Sequence, residues 1–177
     1  MRAGTNWFVS IGQCASPSPL TGPKHKGFKP DMTTANSLTG LRVESNPPDV
    51  DLVGVSNLLE VVGMRVRSID AMAQAIKAST EVVVVHDDRE MLVGFGRLVS
   101  DGMYYGTLWD IAVHPNVQKR GVGKAIVSRL LAKCRSLELT MVGLFTALHN
   151  RQFYESSGFA MLDYIHAMTL DLKQSEH

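Results

Sequence analysis

The run Gln118-Lys119-Arg120-Gly121-Val122-Gly123 constrains this chain more than any other segment. Before it, Tyr104 to Val113 is patterned as a strand and closed by His114-Pro115-Asn116. After it, Ile126, Val127, Leu130, Leu131 and Cys134 recur at helical spacing. A strand therefore becomes a helix within a few residues, through two glycines. Glycine lets backbone approach a ligand closely and expose N–H groups in a tight turn. The helix start adds amides without intrahelical acceptors and a positive dipole end. Lys119, Arg120 and Lys124 add charge. Together these features suit a pyrophosphate, although an ordinary strand-to-helix connection with solvated charges shares the bare pattern. A dinucleotide fingerprint fails because Ile126 stands three residues after Gly123, and no Gly-Lys-Ser/Thr provides a P-loop.

The flanking segments define the architecture. Leu41-Arg42-Val43-Glu44 alternates as a short strand ended by Pro47-Pro48, and Asp49 or Asp51 can cap the helix after it. Leu52, Val55, Leu59 and Val62 repeat at helical spacing up to Gly63. Ser68 caps a second helix with Ile69, Met72, Ala73 and Ile76 on one face. The link Gly63 to Arg67 is short and exposed enough to shape a pocket. From Glu81 the period changes. Val82 to Val85 is a β-branched run turned by His86-Asp87-Asp88-Arg89, and Met91 to Val99 is a strand interrupted by Gly94 and Gly96. With Tyr104 to Val113 these form an antiparallel meander. Beyond the central helix the pattern predicts a strand over Thr140 to Thr146 and a short helix from His149 to Ser156 ended by Gly158. Two last strands are expected over Phe159 to Leu162 and Ile165 to Leu172. This order calls for an α/β sandwich around one mixed sheet.

The 177 residues suit one domain, and 45 % hydrophobic with 20 % charged residues fits a globular chain. A net charge of +1 gives no reason to expect nucleic acid or an anionic membrane as partner. No apolar run reaches the roughly 20 residues that span a bilayer. Met1 to Ser37 is a Ser/Thr/Pro/Gly-rich leader, read as flexible or as a targeting remnant. The domain is expected from Leu38 to His177. Cys14 and Cys134 make weak support for a disulfide, which favours a reducing, cytoplasmic setting, or a plastid if the leader is a targeting segment.

From Trp109 to Phe159 the chain resembles the GCN5-related N-acetyltransferase (GNAT) superfamily. The family's Arg/Gln-x-x-Gly-x-Gly/Ala maps onto Gln118, Gly121 and Gly123, and Val113-His114-Pro115 looks like its usual approach. Phe153-Tyr154-Glu155-Ser156-Ser157-Gly158-Phe159 resembles the family's Phe/Leu-Tyr-Glu-x-x-Gly-Phe. Leu92 to Arg97, Ser100-Asp101-Gly102 and Leu108 to Ile111 look like the plastid and cyanobacterial branch that includes plant serotonin N-acetyltransferases.

The resemblance implies a mostly antiparallel central sheet flanked by helices, with splayed parallel strands at an acetyl-CoA site. It implies transfer of an acetyl group to a primary amine by direct attack, without a metal. The acceptor would be an arylalkylamine such as serotonin, or a protein lysine or N-terminus; a noncatalytic acyl-CoA-binding domain is the rival class. Backbone at Ile111, Ala112 and Val113 would bind pantetheine and one N–H would stabilise the oxyanion. Gln118, Lys119, Arg120, Gly121, Val122, Gly123 and Lys124 would hold the pyrophosphate. Tyr154 would protonate the leaving thiolate and touch the cofactor, or simply pack with Phe153 and Phe159.

Asp110 would orient or deprotonate the amine, or be a hydrogen-bonded strand carboxylate. His114 reads as a turn residue, and His149 as facing acceptor or solvent. Two departures stand out. Ala147 occupies a place where the family often has Asn, with Asn150 nearby as a cofactor contact or helix cap. Thr107 stands where histone-type members carry a catalytic Glu. Tyr105 and Trp109 share one strand parity and Tyr104 the other, so some of the three are expected in the core. The assembly is expected to be a monomer or homodimer.

Overall fold

A computed structural model describes residues 38–162 together with Met168 and Leu170. The leader lies outside the described residues, as does the last expected strand apart from Met168 and Leu170. The sheet contains β1 (Leu41–Ser45), β2 (Glu81–Asp87), β3 (Leu92–Ser100), β4 (Tyr105–Val113) and β5 (Met141–Leu144) in sequential order. The first four strands pair antiparallel, and β5 joins β4 in parallel. This is the expected mixed, mostly antiparallel sheet.

Helices cover both faces. On one side lie α1 (Leu52–Val61) and α2 (Ile69–Lys77), over Val82, Val84, Phe95 and Ala112. On the other, α3 (Val122–Ser136) buries Ile126, Val127 and Leu130 against Val83, Val85, Leu98 and Leu108. The β-branched run of β2 thus serves two cores, with alternate residues facing each. Asp51 and Ser68 cap α1 and α2 by accepting from Gly54 N and Ala71 N. Ile69 is an exception to the expected apolar face of α2, being exposed.

The two glycines that interrupt β3 are contact points for α3. A Cβ on Gly96 would lie 2.6 Å from Ile126 Cγ2 and 2.7 Å from Ile111 Cδ1, and one on Gly94 would lie 3.1 Å from Ile126 Cδ1. Their missing side chains let α3 sit close on the sheet.

Several expected boundaries move. β2 continues through His86 and Asp87, and Asp87 Oδ1 holds the turn by accepting from Arg89 N and Met91 N. β5 stops at Leu144, so Phe145 and Thr146 leave the sheet. The segment from His149 begins as a 3-10 turn, Leu148–Asn150, before α4 (Arg151–Ser156). Phe159 to Leu162 is not a strand. Among the described residues no helix is long and apolar enough to cross a membrane.

Candidate active site

Pairing between β4 and β5 ends at Leu108 and Leu144, while β4 continues to Val113. The two parallel strands therefore separate. A cleft of about 380 Å³ opens at the separation, lined on one side by Trp109, Asp110 and Ile111 and on the other by Phe145, Thr146, Ala147, Asn150 and Tyr154. Met64, Arg65 and Arg67 of the α1–α2 link close a third side. The exposed link between the first two helices thus shapes a pocket, as its sequence suggests.

A β-bulge sets the direction of the β4 wall. Phe95 pairs with Ala112 and Arg97 with Trp109, so Asp110 and Ile111 together oppose Gly96. Asp110 accordingly takes a positive φ of 53°. The extra residue reverses strand parity: Leu108 belongs to the α3 core, but Ala112 faces the α1–α2 core. It also leaves β4 locally without a one-to-one ladder partner.

Asp110 is nearly buried, with 9 % of its side chain exposed. Arg97 Nε donates to its Oδ2 at 2.6 Å, and Arg67 Nη1 lies 3.7 Å from its Oδ1. Arg97 also donates to Ser79 Oγ at 3.4 Å. Both carboxylate oxygens thus face guanidinium groups. Neither Arg97 nor Arg67 is marked as a site residue by the sequence motifs. A signal is present all the same, because an arginine inside the apolar β3 run must find a partner if buried.

Tyr154 lines the opposite wall. Its ring meets Phe153 edge-on at 4.8 Å and Phe159 at 5.9 Å, and its hydroxyl bonds with the Thr146 side chain. Burial pushes the phenol above its ordinary 10.0, against the smaller opposing effect of the Thr146 hydrogen bond. Packing and access to the cleft therefore coexist. Asn150 donates from Nδ2 to Thr146 Oγ1 at 3.3 Å and makes no side-chain cap on α4.

The glycine loop lies at the far end of β4 and outside the cleft lining. Lys119 has φ 60° and Gly121, the N-cap of α3, has φ 82°. The first helical bond runs from Ala125 N to Gly121 O, leaving preceding amides at a helix start without intrahelical acceptors. Gln118 Nε2 donates to Val113 O at 3.1 Å, tying loop to strand. Arg120 donates to Thr39 O at 2.8 Å, bracing the loop against the start of the domain. A Cβ on Gly123 would approach Phe153 Cζ to 3.2 Å, so this glycine also admits α4.

The remaining candidates separate. Ala112 is buried in the α1–α2 core, and Val113 does not line the cleft. His114 Nδ1 accepts from Asn116 N in the turn. His149 is exposed and outside the cleft lining. The aromatic trio is not core: Tyr104, Tyr105 and Trp109 are 58 %, 57 % and 39 % exposed. Only Trp109 reaches the cleft, where it packs on Phe145 at 5.7 Å.

A family profile described as acetyltransferase (GNAT) domain matches residues 78–161. The uncharacterized N-acetyltransferase ycf52 of Porphyra purpurea is 30 % identical over 118 residues, spanning 65 % of this chain and 68 % of that protein. The chain belongs to the GNAT family of N-acetyltransferases. Another GNAT relative, the chloroplastic serotonin N-acetyltransferase 2 of Oryza sativa subsp. japonica, is 29 % identical over 126 residues, covering 69 % of this chain and 62 % of its own. A solved GNAT family acetyltransferase from Streptococcus pneumoniae superposes with a TM-score of 0.64 at 25 % identity, over 75 % of this chain and 99 % of that one. Its membership makes this GNAT chain an acetyl-CoA-dependent N-acetyltransferase.

Proposed function

We propose that the β4–β5 cleft is where acetyl-CoA meets a primary amine and where the acetyl group passes directly between them. The observation carrying this reading is the end of β4–β5 pairing at Leu108 and Leu144, with the glycine loop at one end of β4 and Tyr154 facing it. Residues along the split fit an extended pantetheine arm and an anionic pyrophosphate. Amides of Gly121, Val122, Gly123 and Lys124 would take the phosphates, with Lys119 adding charge. Gln118 and Arg120 brace that loop through Val113 and Thr39. The pantetheine would follow β4 at Ile111 and neighbouring backbone.

The neutral amine nitrogen attacks the thioester carbonyl, forming C–N before C–S breaks. The bulged β4 backbone at Asp110–Ile111 supports an amide aimed out of the ladder, suited to the oxyanion. Tyr154 is a phenol, protonated at neutral pH, and burial reinforces that form by raising it further; it donates to the departing sulfur. Asp110 acts as a positioning residue: its contacts with Arg97 and Arg67 support a role in fixing the bulge rather than in accepting the amine's proton. That proton leaves to water in the cleft.

Trp109 and Phe145 support an arylalkyl body for the amine, as does similarity to a serotonin N-acetyltransferase. The chloroplastic relative from Oryza sativa subsp. japonica supports a plastid address over a cytoplasmic one. A free-thiol assay with acetyl-CoA against arylalkylamines, polyamines and peptides, with product masses checked, tests the reading. Release of CoA together with an N-acetylated amine is expected.

A further inference from the structure

The cleft takes its charge from the α1–α2 link. Arg65 and Arg67 both line it, and Asp110 is the sole carboxylate among its described lining residues. That carboxylate is engaged most closely by Arg97, at 2.6 Å. An acceptor arriving as an ammonium ion therefore meets two guanidinium groups and, among the described lining residues, no uncommitted acid. Met64 and the Trp109–Phe145 pair are among its apolar lining residues.

We propose that the acceptor carries a carboxylate beside its amine and is an aromatic α-amino acid, with Arg65 and Arg67 receiving the carboxylate and Trp109 and Phe145 the ring. This rests on the acyl-transfer reading above. Guanidinium is suited to carboxylate because its planar donors match two oxygens. Arg67 lies 3.7 Å from Asp110, beyond hydrogen-bond length, and makes no hydrogen bond among the described residues. With 42 % of its side chain exposed, it can turn toward a ligand while giving up only this long ion pair, since Arg97 still holds the carboxylate.

The same charges act on the reacting group. Nearby cations disfavour an ammonium relative to the neutral amine. The arginines thus promote the nucleophilic form in a cleft whose lining carboxylate is already paired. In the reaction the nitrogen bonds to the acetyl carbonyl carbon, the C–S bond breaks, nitrogen loses one proton and sulfur gains one. The carboxylate is unchanged, and the products are an N-acetyl amino acid and CoA thiol.

Matched pairs isolate the carboxylate. With the full chain and acetyl-CoA, kcat/KM is measured for tryptophan against tryptamine and phenylalanine against phenethylamine. The amino acid should be preferred about tenfold or more, the size of one well-made charged contact. Arg65→Gln and Arg67→Gln should each reduce that preference through KM, and the double variant should abolish it. Acetyl-CoA Kd measured on the same variants reports whether they fold.

Preference for the decarboxylated amine by the unaltered protein overturns the proposal. So does a preference that survives in the folded double variant, or activity confined to polyamines or peptides. Acetyl-CoA binding with no CoA release from any amine instead overturns the acyl-transfer reading on which the proposal rests.

Discussion

Arg97 Nε donates to Asp110 Oδ2 at 2.6 Å across the place where β3 and β4 fall out of register. The contact explains how an aspartate holds a φ of 53° inside a strand. A left-handed backbone at a non-glycine residue persists only where its surroundings over-determine it. The ion pair beneath α1 and α2 supplies that restraint. It fixes where Ile111 and the outer half of β4 point, and Arg67 connects the same carboxylate to the α1–α2 link.

Asp110→Asn should therefore destabilise the fold, since breaking a buried pair leaves Arg97 uncompensated at a cost of about 3–5 kcal/mol. Arg97→Gln should give a comparable loss, and the double variant should lose much less than the sum. Thermal melts of the four proteins form the cycle. An Asp110→Asn protein with unchanged Tm and collapsed kcat would instead make Asp110 the base.

Tyr154→Phe keeps the edge-on packing with Phe153 and Phe159 but removes the hydroxyl. Turnover should fall about a hundredfold, in line with the loss of a general acid, with acetyl-CoA affinity nearly unchanged. The pH profile gives a second reading. Because burial raises this phenol above 10.0, its active, protonated form persists to higher pH. No loss of kcat due to Tyr154 should set in below pH 10.0 in single-turnover measurements. Equal single-turnover rates for the two proteins would remove its assigned role.

Gly121 has φ 82° at the N-cap of α3. A β-branched side chain is strained there by about 1–3 kcal/mol and would crowd the amides offered to the pyrophosphate. Gly121→Val should raise the acetyl-CoA Kd at least about tenfold by calorimetry. Native circular dichroism with undiminished affinity would place the phosphates elsewhere.

Gly96→Ala tests the close seat of α3. The new methyl would press on Ile126 and Ile111. Overpacking of this kind costs about 1–3 kcal/mol, visible as a lower denaturation midpoint. Adding Ile126→Ala should cost less in the Gly96→Ala background than alone, because it relieves one of the two clashes. Simple additivity would show that the helix does not press on this glycine.

The order of elements was readable because strand and helix periods differ and because Asp51, Ser68 and the glycines punctuate them. Gln118 to Gly123 and Tyr154 were readable as local motifs. The bulge at Asp110 was not, since an inserted residue leaves no mark in a pattern of alternating side chains until the opposing strand is known. Strand parity also placed some of Tyr104, Tyr105 and Trp109 in the core, whereas all three are exposed; alternation says which residues share a face but not whether that face is covered. Arg65 and Arg67 were legible only as members of a pocket-shaping link, and Phe145 only as part of a strand, for a different reason. They converge on the cleft from segments far apart in sequence, and only the fold supplies that proximity.

The most direct test of the central claim is thiol release from acetyl-CoA by the purified chain in the presence of an amine, together with the mass of the amine product. Equal amounts of CoA thiol and N-acetylated amine, lost together in Gly121→Val and sharply slowed in Tyr154→Phe, are the predicted result. Tight acetyl-CoA binding with no thiol released across arylalkylamines, amino acids, polyamines and peptides would contradict it.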